Sequence, residues 1–282
     1  MSTYSLPWSY PEVLRDFEGV NEDLISRVGL LSLSGSNLYG GATESSDLDL
    51  YGFYYPEKAP VLDLEMGYLP KFDQPHTIIS MGRIGQKLDG NPPRELILLS
   101  VNEFFSLGLG SNGKVVETLA AVGQVNRPND ATILVIKEQE LFISCALIDH
   151  YAAYSRSQAS EAKKLRDRGL DNKKEKATAL RTAMYGKDLC LHGKLQITPH
   201  RATLRRIRTG GMCDEEYEDL LDCLHGIIGT ERNSNDLPEV PDRTKVRNLL
   251  VRVIDAFYND TSRSAVTCET REATGTPSRG HL

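Results

Sequence analysis

Two apolar runs flank a Gly-Ser bend near the start of the chain, and this stretch constrains the fold more than any other. Val28 to Ser34 (VGLLSLS) reads as a short buried strand. Gly35-Ser36-Asn37-Leu38-Tyr39-Gly40 follows, then Ser46-Asp47-Leu48-Asp49, which opens a second strand-like run from Asp47 to Tyr54 (DLDLYGFY). Gly35 lets the backbone turn sharply and approach a ligand with no Cβ in the way. Ser36 adds a hydroxyl, and the amides around it suit an anion. Tyr39-Gly40-Gly41 closes a short helical turn or loop whose free N–H groups also favour phosphate.

Side chains alternate along a strand, so Asp47 and Asp49 share one face while Leu48 and Leu50 point into the core. Two carboxylates this close repel each other unless a cation lies between them. Hard oxygen ligands of this kind suit Mg²⁺ or Mn²⁺, held by one or two carboxylates together with substrate phosphate. The residues therefore point to a nucleoside triphosphate (NTP) gripped beside a divalent metal. Taken singly, Gly-Ser is a common turn and Asp-x-Asp a common solvated strand end; their joint strand-turn-strand context favours a site.

This pattern resembles the DNA polymerase beta-type nucleotidyltransferase superfamily, and within it the RNA-repair-associated, RlaP-like family. That family's signature is G-S-x-x-Y-G, five residues, then S-D-x-D and a nearby Gly. Gly35, Ser36, Tyr39, Gly40, Ser46, Asp47, Asp49 and Gly52 fill those places. The likeness continues through Arg94-Glu95-Leu96-Ile97-Leu98-Leu99, Phe104-Phe105, Asn112 and Glu117, Leu180-Arg181, Leu189 to Gly193 and Ile207 to Gly210, so it covers about residues 25 to 225. One position departs: the family often carries a His before the Leu-Arg pair, and Thr178 stands there.

The resemblance implies an α+β fold, a polymerase beta palm-like mixed sheet with a helical C-terminal part. It also implies a third carboxylate that ligates metal and helps deprotonate the attacking hydroxyl. Glu95 is the first candidate, because it opens the apolar run LILLSV after Asn91-Pro92-Pro93. Asp63 and Glu65 in VLDLEM compete, in a run that reads as an edge strand among Pro60, Gly67 and Pro70. The expected catalytic and metal-ligating set is Asp47, Asp49 and Glu95. Gly35, Ser36, Tyr39 and Arg181 are the expected nucleotide contacts. Arg181 lies on a helix with apolar neighbours and wants an anion, which is either phosphate or an internal carboxylate.

The organisation reads as a lead-in (1–24), a catalytic core (25–125), a helical substrate-binding part (126–259) and a disordered tail (260–282), the last because Ser, Thr, Gly and Arg dominate it. Helices are expected over Pro11 to Phe17, Glu138 to about Arg168, Lys173 to Leu191, Pro199 to Ile207, Asp214 to Ile228 and Pro241 to Tyr258. Asp214 is the expected cap of its helix.

The net charge of −6 excludes a protein coated in basic surface, but the charge is uneven. Fifteen Lys and Arg against five Asp and Glu lie between Arg156 and Arg208. Such asymmetry marks a candidate RNA face, with Tyr151, Tyr154 and Tyr185 as the nearby rings for base stacking. The plain alternative is a solvated helix face. The five cysteines form no C-x-x-C pair, which argues against zinc and fits reduced thiols in a cytoplasm. Neither a membrane-spanning run nor a secretory start is present in the sequence.

The expected activity is metal-dependent transfer of a nucleoside monophosphate from an NTP to an acceptor hydroxyl. An RNA or tRNA 3′ end is the acceptor that the resemblance implies. A protein or small-molecule acceptor is the second reading, and a catalytically silent RNA- or partner-binding module is the third.

Overall fold

The fold is a mixed five-stranded sheet followed by a stack of helices. The structure, a computed structural model, describes residues 10–17, 20–42, 46–56, 77–80, 83–89, 94–121 and 129–272. Two short helices, α1 (Tyr10–Arg15) and α2 (Glu22–Arg27), lead into β1 (Val28–Leu33). The Gly-Ser bend forms a short helix, α3 (Gly35–Tyr39), and β2 (Leu48–Tyr54) runs back antiparallel to β1. The hairpin β3 (Thr77–Ser80) and β4 (Arg83–Leu88) precedes β5 (Arg94–Ser100). The strand order is β1-β2-β5-β4-β3, and β2 and β5 are parallel.

The β2–β5 pairing positions the acids. Its register sets Asp49 opposite Glu95 and Leu50 opposite Leu96. Paired residues on parallel strands share a face, about 4.8 Å apart in the hydrogen-bonding direction. Leu48, Leu50, Leu96 and Leu98 share the opposite face and are buried in the core.

Helices α4 (Val101–Leu109) and α5 (Gly113–Ala120) follow directly. Ser100 caps α4 by accepting from Glu103 N, and Asn112 caps α5 by accepting from Lys114 N. The break between them falls in the Gly108–Gly113 stretch, where Ser111 adopts a φ of 56°. Ala131 to Ile136 is helical within α6 (Asp130–Lys137). The long pair α7 (Cys145–Asp167) and α8 (Lys173–His192) packs along its length, followed by α9 (Arg201–Arg208), α10 (Asp214–Glu231) and α11 (Arg243–Glu272). Ala177, Leu180, Ala183, Met184 and Cys190 of α8 are buried. One apolar cluster runs from Val13 to Phe257 and joins the sheet to the helices. Among the described residues, no helix is long and apolar enough to cross a membrane.

One local expectation is corrected. Cys213 occupies the cap position of α10, and Asp214 is the first helical residue. Its carboxylate is engaged by Lys176 and by Arg166 Nη1 at 3.2 Å, which leaves it unavailable as a cap. The last helix, expected over Pro241 to Tyr258, spans Arg243–Glu272. Residues 260–272 contain neither Gly nor Pro, and the breakers Gly275 and Pro277 come only afterwards.

Candidate active site

The bend and the acidic strand are locked together by the backbone. Ser34 N donates to Asp49 O at 2.8 Å, and Asn37 Nδ2 donates to Asp47 O at 2.7 Å. Gly35 has a φ of 57°, and a Cβ placed on it would lie 1.7 Å from Asp49 Oδ2. Glycine is required there on two counts, handedness and space.

Gly35, Ser36, Tyr39, Asp47 and Asp49 line one cleft of ≈ 360 Å³, within the range of small-ligand sites. The opposite wall comes from α8, where Lys174, Thr178 and Arg181 face the cleft at helical spacing. Tyr154 of α7 and Arg208 of α9 complete it. Thr178, the position where the related family often has a His, lies inside the cleft. Its hydroxyl donates to Lys174 O at 2.9 Å.

Glu95 is placed beside Asp49 by strand register but does not line the cleft. Asp63 and Glu65 lie outside the described residues. Burial pushes the Asp49 carboxyl above its ordinary pKa, and the Glu95 carboxylate adds to the rise. Asp47 acts in the same direction, while Lys114 and Lys174 oppose it. Among the described residues, the Asp49 carboxylate has neither a hydrogen bond nor an ion pair. A half-buried carboxylate in that state fits a cation.

Among the described residues, no three His, Cys, Asp or Glu side chains are grouped so as to hold a metal ion by themselves. Asp47 and Asp49, both lining the cleft, are hard oxygen donors of the kind that Mg²⁺ would share with substrate oxygens.

Lys114 was not singled out in the sequence, where GKVVE reads as an ordinary helix start. It rises from the first turn of α5 into the cleft, with Nζ 5.8 Å from the centre of the Tyr51 ring. Burial pushes its pKa down, while Glu117, Asp49 and Glu95 pull it up. Its position between Asn112 and Glu117, both in the segment matched to the family, was the available signal.

Arg181 has an internal partner. Its Nη1 donates to Glu117 Oε1 at 2.7 Å, and its guanidinium lies 4.0 Å from the centre of the Tyr39 ring. Glu117 is only 4% exposed and also accepts from Tyr39 Oη and from Tyr151 Oη. Burial works against the Arg181 cation, but Glu117 and the surrounding tyrosines more than offset it. The guanidinium is thus held by Glu117 and by the Tyr39 and Tyr185 rings while lining the cleft.

The basic segment is largely committed to the protein itself. Arg201 holds Leu38 O through Nε (3.2 Å) and Nη2 (2.9 Å), and Arg208 Nε holds Gly41 O at 3.3 Å, so α9 clamps the loop after the bend. Arg166, Lys176 and Arg206 pair with acids of α10. Of the three tyrosines suggested for stacking, Tyr151 and Tyr185 are buried, and Tyr154 is exposed.

A Gly-Ser bend locked onto Asp-x-Asp, on a mixed sheet backed by helices, defines the α+β nucleotidyltransferase fold. The chain matches the RNA repair pathway DNA polymerase beta family, RlaP, over residues 11–264, and it belongs to that family. The membership supports a general role in nucleotidyl transfer with an NTP substrate. A structural comparison also finds a nucleotidyltransferase-like protein from Exiguobacterium sibiricum 255-15. That likeness has 11% identity and a TM-score of 0.30, and it covers 74% of this chain and 69% of the other. No curated protein matches the chain in sequence.

Proposed function

We propose that this protein transfers a nucleoside monophosphate from an NTP to an acceptor hydroxyl, with an RNA 3′ end as acceptor. The observation that carries the reading is the contact of Gly35 with Asp49, with Glu95 directly opposite on the next strand. The family description, RNA repair, supports the choice of acceptor.

In this reading the acceptor oxygen attacks the α-phosphorus and forms the new P–O bond. The bond from the α-phosphorus to the bridging oxygen breaks, and pyrophosphate leaves with the electron pair. Glu95 stands beside Asp49 to receive the hydroxyl proton. Asp47 and Asp49 would hold a divalent cation, which when bound supplies charge neutralisation at the phosphate oxygens. Gly35 and Ser36 seat the β,γ-phosphates. Lys114, Lys174 and Arg181 line the same cleft and add positive charge. The protein's contribution is position and charge rather than covalent chemistry.

The test is incubation with NTPs labelled at the α-phosphate, Mg²⁺ or Mn²⁺, and total RNA or total protein. Label is expected on RNA 3′ ends. Label confined to protein or a small molecule moves the acceptor, and absence of turnover with every NTP and metal leaves a binding module.

A further inference from the structure

We propose that the His150 and Tyr154 rings form the stacking site for an unpaired base at or next to the 3′ end of the acceptor strand. The proposal rests on the RNA-acceptor reading above and names how that acceptor is held. The two residues are one turn apart on α7, and both are exposed. Tyr154 is 43% exposed, although it carries a large ring that could have packed inward. Its neighbour Tyr151 does pack inward and donates to Gly113 O at 3.1 Å. Tyr154 has no such anchor among the described residues.

The His150 and Tyr154 rings lie 19° from parallel, with centroids 6.5 Å apart. Near-parallel rings on one exposed stretch of α7 offer flat faces against which a planar base can stack. Tyr154 lines the cleft, whereas His150 lies one turn beyond it. The pair therefore leads from the cleft outward.

Two reactants must meet at Asp47 and Asp49, but a cleft of ≈ 360 Å³ is at the small end for even one drug-sized ligand. In the proposed reaction the NTP takes up this space, and the acceptor has to reach it across the rim. The rim carries charge of the right sign for a nucleic acid, because Lys174 and Arg208 line the same opening. The nearby acid Asp149 is neutralised by Arg232, at 3.1 and 2.8 Å. Aromatic rings beside cations are how single strands are held without sequence readout.

The experiment uses the full chain and a short single-stranded RNA with a free 3′ hydroxyl and 2-aminopurine as its last base. Binding is read by anisotropy of a 5′ dye, and stacking by 2-aminopurine quenching. The wild type is expected to bind and quench. Tyr154→Ala is expected to weaken binding about tenfold and abolish quenching, with Tyr154→Trp restoring both. His150→Ala is expected to reduce quenching in the same direction. NTP affinity is measured in parallel by calorimetry and is expected to fall less than RNA affinity. RNA affinity and quenching unchanged in Tyr154→Ala would overturn the proposal. So would a wild type that binds no RNA, or a loss that falls on the NTP instead. Those results leave nucleotidyl transfer itself standing, since α-label incorporation into any acceptor is scored separately.

Discussion

A Cβ on Gly35 would lie 1.7 Å from Asp49 Oδ2, so the bend and the acid fit together only because residue 35 has no side chain. Gly35→Ala must displace the Asp49 carboxylate or the bend. A shift of about 1 Å in a catalytic group costs on the order of 10²-fold in rate. The left-handed backbone adds roughly 1–2 kcal/mol of destabilisation. Turnover should fall at least about 100-fold while circular dichroism at 25 °C stays native; wild-type turnover would break the link between bend and acid.

Glu117 holds Arg181, Tyr39 and Tyr151 together. Removing one partner of a buried ion pair leaves the other uncompensated, at about 3–5 kcal/mol. Glu117→Gln should shift the urea midpoint by a corresponding amount. Arg181→Met together with Glu117→Gln should be less destabilised than the sum of the two single variants.

Lys114 faces the acids at a desolvation cost, which its role at phosphate would justify. Lys114→Met should lower NTP affinity about tenfold or more, since hydrogen bonds to charged groups are worth roughly 1.5–3 kcal/mol. Folding stability should change little. Calorimetric titration with NTP checks the first and thermal melting the second.

His225 Nε2 lies 2.9 Å from Ser155 Oγ, and burial together with Arg156 pushes its pKa below the ordinary value, with Asp222 opposing. The folded state therefore binds this proton less readily than the unfolded chain. The stability present above the unfolded pKa of about 6.5 is lost as pH falls below it. His225→Gln should flatten that part of the melting-temperature profile between pH 7 and pH 5; an unchanged slope would show that the ring is solvated.

The acid strand and its bend were legible because alternation and glycine each leave a local trace. Leu48–Tyr54 and Arg94–Ser100 begin within a residue of where the pattern places them. The β3–β4 hairpin was not, because Thr77–Ser80 is only 4 residues long and Gly85 interrupts Arg83–Leu88. Glu117 stood in a matched segment, but no spacing announces that a residue 64 positions away will meet it. The roles of Arg201 and Arg208 were hidden for the same reason. A basic run in sequence does not reveal that its arginines face the carbonyls of Leu38 and Gly41.

The central claim is that Asp47, Asp49 and Glu95 act as one catalytic set beside the Gly35 bend. Pyrophosphate release with NTP, Mg²⁺ and RNA, compared between wild type and Asp49→Asn, tests it most directly. The account predicts release by the wild type and a loss of at least about 100-fold in the variant, with Glu95→Gln also impaired. Equal release by wild type and Asp49→Asn would contradict it.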